Sequence, residues 1–399
     1  MASELPAAIL LDPNDGCLTI ARSLVRRGIR VHVLARARSA YVAHSRGVEG
    51  SVLPDLPGGS EVWLARLGGL ARLGDGVLIS GSDQATELIA TNRAAIPAIL
   101  RSFEGPETPH LSLMDKGELY EIAEALGVRT PWTLQAASRV ALEAAADTAS
   151  YPCILKPALS HVGKRAGGFQ TQLAPDPQQL IAAAGPAVDG GVEMLVTEFV
   201  PGGEENLEGA VTIRAPDGSY PLVYGRRKVR QYPLDFGPGS LTMSASVPET
   251  IAANERILDA VGFVGVSSLE MKRHAETGEL VLVEINVRVV QSFGLGDACG
   301  VDASWRLYAT LAGIPLGPQP AQRDGKKVVS PAFDLLAARA RLRRKEISWR
   351  GLLASYRGTR DLSVLDPRDP RPALTLAGWG LRSRVEKVRA RRAKRGVLR

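Results

Sequence analysis

The chain is poor in the residues that build metal centres, disulfide frameworks and membrane spans. Three cysteines, Cys17, Cys153 and Cys299, are scattered through 399 residues, with none of the paired spacings of a zinc site or a disulfide scaffold. Five histidines are equally dispersed, which argues against a His-based transition-metal centre. No apolar run approaches the roughly 18 residues that a membrane-spanning helix needs. The start, Met1-Ala2-Ser3-Glu4-Leu5-Pro6, has neither the basic residues nor the apolar stretch of a secretory signal. These absences predict a cytoplasmic protein with reduced thiols.

Size and charge set further bounds. A chain of 399 residues exceeds what one hydrophobic core commonly supports, so two or three subdomains are expected. The net charge is +7, yet Leu381 to Arg399 hold nine Lys or Arg and one Glu. That tail therefore carries +8 and the remainder −1, so the basic character describes the tail alone. Its run Arg389-Ala390-Arg391-Arg392-Ala393-Lys394-Arg395 suits contact with an anionic surface. A frayed, solvated terminus accounts for the same charges, and no nucleic-acid partner is expected.

What is present first reads as an alternation of strands and helices. Ala8-Ile9-Leu10-Leu11, a helix near Leu18 to Arg27, Val31-His32-Val33-Leu34 and Val77-Leu78-Ile79-Ser80 predict a parallel sheet covered by helices. The turn after the first strand, Asp12-Pro13-Asn14-Asp15-Gly16, lacks G-x-G-x-x-G, so the domain is Rossmann-like in shape without a dinucleotide. Its strand ends are expected to hold a non-nucleotide substrate. Ser112 is expected to cap a helix that runs through Leu119, Ile122, Ala123 and Leu126 and stops at Gly127.

A smaller α+β unit follows: a helix through Val140 to Ala146, the strand Cys153-Ile154-Leu155-Lys156, a glycine-rich turn, a strand near Phe169 to Gln172, a helix near Pro177 to Ala184, and the closing strand Glu193 to Val200. Pro318 to Gly325 reads as a linker, with basic helices at Leu335 to Arg344 and Trp349 to Arg357 beyond it.

The most informative stretch pairs Leu269-Glu270-Met271-Lys272 with Val281 to Arg288 across the turn Glu276-Thr277-Gly278-Glu279, a β-hairpin by pattern. Period-two alternation puts Glu284, Asn286 and Arg288 on one face, and Glu270 faces them from the partner strand. Two carboxylates, a carboxamide oxygen and a guanidinium make a poor core but suit Mg²⁺ held between nucleotide phosphates. A polar face of an exposed sheet would explain the charges but not the apolar residues between them.

In order along the chain, Lys116, Ile154-Leu155-Lys156-Pro157, the loop Ser160 to Gly168, Glu198-Phe199-Val200-Pro201-Gly202-Gly203-Glu204-Glu205, and Glu270 with Glu284-x-Asn286-x-Arg288 resemble the ATP-grasp ligases over about residues 1 to 320. Arg226 to Pro233, with Asp235-Phe236-Gly237 following, points to the carboxylate-amine ligase branch that includes D-aspartate ligase and carbamoyl-phosphate-synthase-like proteins. The resemblance implies an α/β and α+β architecture in four parts: a Rossmann-like pre-ATP-grasp domain (1–110), a central helix and lid (111–197), a C-terminal ATP-grasp subdomain with the metal site (198–320) and a basic helical extension (321–399).

The same resemblance implies roles. Lys116 and Lys156 would contact phosphates, and Gly163, Lys164 and Gly167 would close over them with backbone N–H groups. Glu198, Phe199 and Val200 would form the adenine-binding hinge, with Glu205 accepting from the ribose and Glu204 a rival for that role. Glu270, Glu284 and Asn286 would hold Mg²⁺, or Mn²⁺ in its place. Arg288 would stabilise the acyl phosphate, while Arg226 and Lys228 would hold the γ-phosphate or the carboxylate substrate. Two positions depart from the family. Val287 replaces a common proline at a position pointing away from the site, and Ser268 stands where some relatives carry an arginine.

The expected reaction activates a carboxylate as an acyl phosphate, releases ADP and joins the acyl group to an amine, both substrates being small molecules. A homodimer is compatible with the resemblance. Two rival readings are a carboxylase-like or carbamoyl-forming enzyme that uses bicarbonate or ammonia, and a regulatory protein that binds ATP without turnover.

Overall fold

The computed structural model describes residues 5–56, 58–159 and 171–379. The expected phosphate loop with Gly163, Lys164 and Gly167, and the tail from Leu381, lie outside the described residues. Among the described residues no helix is long and apolar enough to cross a membrane, and the three cysteines are buried free thiols.

Five parallel strands, β1 (Ala7–Leu11), β2 (Val31–Ala35), β3 (Val48–Val52), β4 (Gly76–Ser80) and β5 (Leu100–Arg101), form a sheet in the order β3-β2-β1-β4-β5. Both β1 and β4 are buried along their whole length, which explains why they read as unbroken apolar runs rather than alternating ones. The strand order reverses between β1 and β4, and the carboxyl ends at such a switch point are where open α/β sheets bind ligands. The turn after β1 is tighter than expected. Asn14 caps the helix Asp15–Arg26 by accepting from the backbone N–H groups of Gly16 and Cys17, so Asp15 and Gly16 are already helical.

A second sheet, β6 (Thr133–Ala136), β7 (Cys153–Pro157), β8 (Gln172–Ala174) and β9 (Met194–Glu198), is antiparallel in the order β6-β9-β7-β8. The helices Arg139–Thr148 and Pro177–Asp189 share with it a core of its own around Leu142, Leu155, Leu180 and Val196. Before it, the cap expected at Ser112 lies instead at Asp115, whose carboxylate accepts from the N–H groups of Gly117 and Glu118 and opens the helix Lys116–Ala125. Ser112 falls inside a separate short helix, His110–Met114. An acid satisfies two orphan donors and complements the positive helix end, which a serine does less well. The shift makes Lys116 the first helical residue.

The third sheet has seven strands: β10 (Leu207–Arg214), β11 (Leu222–Gln231), β12 (Gly239–Ser244), β13 (Gly265–Arg273), β14 (Leu280–Asn286), β15 (Lys327–Val329) and β16 (Thr359–Asp361), in the order β14-β13-β10-β11-β12-β15-β16. The described part of the expected helical extension, residues 321–379, thus supplies two strands of this sheet. It also supplies the helices Pro331–Arg343 and Trp349–Ser355. Buried ion pairs tie this part to the rest of the molecule, Arg230–Asp334 at 2.8 Å and Arg22–Asp369 at 2.9 Å. Strands of three residues each carry little periodic signal, and only the pairing of β15 with β12 and of β16 with β15 reveals them.

The two faces of this sheet differ. One packs Leu269, Met271, Ile285 and Val287 against the helices Lys116–Ala125 and Pro248–Ala260, so Val287 does point away from the hairpin's polar face. The other face joins Val211, Ile213, Leu222, Tyr224 and Val266 to the core of the parallel domain. That apolar packing stops along β10 at Gly209, and a polar row begins there.

Candidate active site

The row follows from strand register. Glu284 lies directly opposite Glu270, Glu270 opposite Gly209, Gly209 opposite Arg226, and Arg226 opposite Ser244. Directly opposed residues of antiparallel strands project from the same face, and two like charges so placed repel. Cations offset that repulsion. Lys228 Nζ lies 2.7 Å from Glu270 Oε1, and an Arg226 amino group 3.6 Å from Glu270 Oε2. Glycine at position 209 makes room for this placement of Arg226, because a Cβ there would stand 2.9 Å from Arg226 Nε. The guanidinium crosses over Gly209 and donates to Ser268 Oγ at 3.1 Å. Arg226 therefore brings a guanidinium from β11 to Ser268, one of the two positions that depart from the resemblance.

Glu284, Asn286 and Arg288 are brought together as expected, although Arg288 lies just beyond the end of β14. Asn286 donates through Nδ2 to Glu284 at 3.0 Å and accepts from Arg288 through Oδ1 at 3.0 Å. Arg288 also pairs with Asp83 at the carboxyl end of β4, so the switch point of the parallel sheet and the hairpin share one arginine. The contact is close because Gly16 permits it: a Cβ at that position would lie 2.1 Å from the carbonyl oxygen of Val290. Burial raises the Glu284 pKa, but Lys116, the Asn286 amide, Lys228 and Arg288 together outweigh it and hold the carboxyl below its ordinary range.

Lys156 is the penultimate residue of β7, and its ammonium donates to the Tyr120 hydroxyl at 2.5 Å. Tyr120 in turn donates to the Val283 carbonyl at 2.7 Å, which links β7 to β14. Burial, reinforced by the charge of Lys116, pulls the Lys156 pKa down to about 7, with Glu284 pulling the other way. Lys116 is buried as well. A lysine in the first helical turn opposes the helix dipole, and Glu284 is the carboxylate whose charge answers it.

The hinge residues are arranged less uniformly. Glu198 is held side-on by Arg129 at 2.8 and 2.9 Å and also accepts from the Trp132 N–H. Its carboxylate is therefore a strut that ties the end of β9 to the segment before β6, and its backbone N–H donates to the Trp132 carbonyl at 2.9 Å. Phe199 has Lys272 Nζ 5.5 Å from its ring centroid, and Val200 is buried. Glu204 turns inward and pairs with Arg341 at 2.8 Å, whereas Glu205 is exposed beside Gly203. Glu205 is thus the more accessible of the two acids.

Sequence reasoning missed Tyr120, Gly209 and Asp83. Tyr120 had a signal, since it stands four residues after Lys116 on the same helical face. Gly209 and Asp83 had none, because their parts depend on neighbours 17 and 205 positions away in Arg226 and Arg288. Among the described residues no group of three His, Cys, Asp or Glu forms a metal cluster. The candidate set is instead two carboxylates and an amide.

No protein-family model matches the chain, and no curated protein does. Solved structures do. An N5-carboxyaminoimidazole ribonucleotide synthetase in complex with ADP is 15% identical, covering 81% of this chain and 81% of its own at a TM-score of 0.62. The synthetase of the same name from Thermus thermophilus is 18% identical, covering 80% and 81% at 0.59. The biotin carboxylase domain of 2-oxoglutarate carboxylase from Hydrogenobacter thermophilus, in complex with MgADP and bicarbonate, is 16% identical, covering 81% and 73% at 0.57. All are ATP-grasp proteins, and this chain has the ATP-grasp fold.

Proposed function

We propose that the protein is an ATP- and Mg²⁺-dependent ligase that activates a carboxylate as an acyl phosphate and joins it to an amine. The observation that carries this reading is the register of Glu270 against Glu284, two carboxylates placed face to face on a buried sheet and ringed by Lys116, Lys228, Arg226 and Arg288. Such an arrangement is unfavourable as packing and favourable as a seat for a divalent cation and phosphates. Glu284 stays ionised, as a ligand must, and Asn286 supplies a third hard oxygen once its amide turns from Arg288. Mn²⁺ takes the same donor set. When bound, the metal offsets negative charge on the β- and γ-phosphates.

In the first step a substrate carboxylate oxygen attacks the γ-phosphorus and ADP leaves. Lys156 and Lys116 hold phosphate oxygens, and Arg226 and Lys228 sit where the carboxylate approaches. In the second step the substrate ammonium gives up one proton to solvent, the resulting amine nitrogen attacks the acyl carbon, phosphate departs, and the nitrogen gives up a second proton to solvent. Arg288 stabilises the oxyanion, with Asp83 and Asn286 fixing its orientation. Lid closure keeps water from the mixed anhydride. The adenine binds along the backbone of Glu198 to Val200, and Glu205 accepts from the ribose. Retention of the entire polar set favours turnover over simple nucleotide binding, and three buried thiols agree with a reducing cytoplasm.

A second reading, bicarbonate as the carboxylate, is supported by the carboxylase among the similar structures, which was solved with MgADP and bicarbonate. One assay separates them: a panel of acids, amines and bicarbonate, with ADP and product mass read together. Amide formation with ADP supports the ligase, bicarbonate-dependent ADP release without an added acid supports the carboxylase, and AMP with pyrophosphate overturns both.

A further inference from the structure

A polar hollow lies on the flank of Lys228 away from Glu270. Lys228 is paired across β11 and β12 with Thr242, so both side chains share the site's face of the sheet. The hollow is lined by Asp15, Thr242, Gln291, Ser292, Ser330 and Ser363, with Gly239 and Val328 completing it. Four separated parts of the chain meet there: the start of the first helix, the sheet, the segment just after Arg288, and the C-terminal residues beyond 320.

Two of the lining hydroxyls converge on the one carboxylate of the hollow. Asp15 accepts from Tyr41 at 2.6 Å, from Ser363 at 2.6 Å and from Ser330 at 3.3 Å. The two serines spend their protons on the carboxylate, so what they offer inward is lone pairs. Thr242 is 1% exposed and its hydroxyl has no hydrogen-bond partner among the described residues, which is unusual for a buried polar group and points to a missing ligand. Glycine at 239 leaves room beside that hydroxyl, since a Cβ there would stand 2.7 Å from it. Among the described residues no cationic side chain lines the hollow. A carboxylate surrounded by acceptor oxygens calls for a positively charged group with several N–H donors.

We propose that this hollow receives the primary ammonium group of the amine substrate, with Asp15 as its counter-ion and Thr242, Ser330 and Ser363 as acceptors. The assignment rests on the ligase reading for its purpose, but the site can be tested without it. Methylammonium chloride titrated into the full chain at constant ionic strength should bind saturably. Binding should weaken about tenfold in Thr242→Val and disappear in Asp15→Asn. Tetramethylammonium, which has no N–H, should not bind.

Equal affinity in all three proteins, or no saturable binding to the unsubstituted chain, overturns the proposal. Potassium chloride binding as tightly as methylammonium also overturns it, by assigning the hollow to an alkali cation. Thr242→Val is isosteric and removes only an unpartnered hydroxyl, so it keeps the test decisive where Asp15→Asn fails to fold. In turnover, both variants should raise KM for the amine while KM for ATP stays in place. A chain that binds methylammonium here yet releases no ADP with any acid refutes the ligase and leaves the ammonium site standing.

Discussion

Glu208 and Glu270 occupy adjacent rows of the same seven-stranded sheet, both buried and both held by two cationic side chains, yet their surroundings set them apart. Glu208 lies 2.9 Å from Arg227 and 3.3 Å from Arg273, and it accepts from the Thr250 hydroxyl beneath the helix Pro248–Ala260. Its charge is answered within the fold, and both arginines reach solvent. Glu270 faces a second carboxylate, its cations are themselves buried, and one of them crosses a glycine to arrive. The first arrangement closes on itself, whereas the second leaves negative and positive charge in excess of what packing needs. An acid on a strand with basic neighbours is therefore no evidence of a site until the far side of the acid is known.

That contrast can be broken most severely at Glu284, the carboxylate that distinguishes the two rows. Glu284→Ala should lower ADP release about 10³-fold while the protein unfolds at nearly its usual temperature; retained turnover would remove the metal assignment. Gly209→Ala comes next. The added methyl displaces the Arg226 side chain rather than the backbone, and a guanidinium misplaced by about 1 Å should cost roughly 10- to 100-fold in ADP release. An unchanged rate would show that Arg226 acts only as a counter-ion to Glu270.

Lys156 sharpens the comparison through pH. The unfolded chain keeps this proton up to the ordinary lysine pKa of 10.5, while the folded protein gives it up near 7. The folded state thus binds fewer protons between those values, so this group makes stability increase as pH rises through that window and carries its full penalty below pH 7. Lys156→Met should raise Tm by several degrees at pH 6, with the gain gone by about pH 10. Nucleotide phosphates restore the charge, so ATP binding at pH 8 should take up about one proton, measured by calorimetry in buffers of different ionisation enthalpy. Lys156→Met should abolish that uptake. Uptake that persists in the variant would assign the proton elsewhere.

The smallest effect on turnover is expected at Glu208 itself. Glu208→Gln should cost about 1–3 kcal/mol of stability by urea unfolding, with ADP release per folded molecule unaltered. A large loss of activity would collapse the distinction between the two glutamates.

Much of this was legible in the residues, and for a local reason. Period-two alternation placed Glu284, Asn286 and Arg288 on one face and Val287 on the other, since pleating acts on neighbours within a strand. The unbroken apolar runs of β1 and β4 announced a parallel sheet. What failed to show involved partners distant in sequence or rival local signals: the cap at Asp115 hid behind an equally plausible serine, and β15 and β16 are three residues each, too short for a period.

The sequence by itself determined the longer strands of the hairpin and the parallel sheet, their faces and the identity of the charged groups, because alternation and side-chain chemistry are properties of neighbouring residues. Only the tertiary structure decided which charges meet. Register set Glu270 against Glu284, a glycine let Arg226 reach across to both Glu270 and Ser268, and chain crossing brought Asp83 to Arg288 and Asp15 to Ser330 and Ser363. Coulombic and hydrogen-bond energies fall off over a few ångströms, so such partnerships are set by distances in space that the order of residues does not contain.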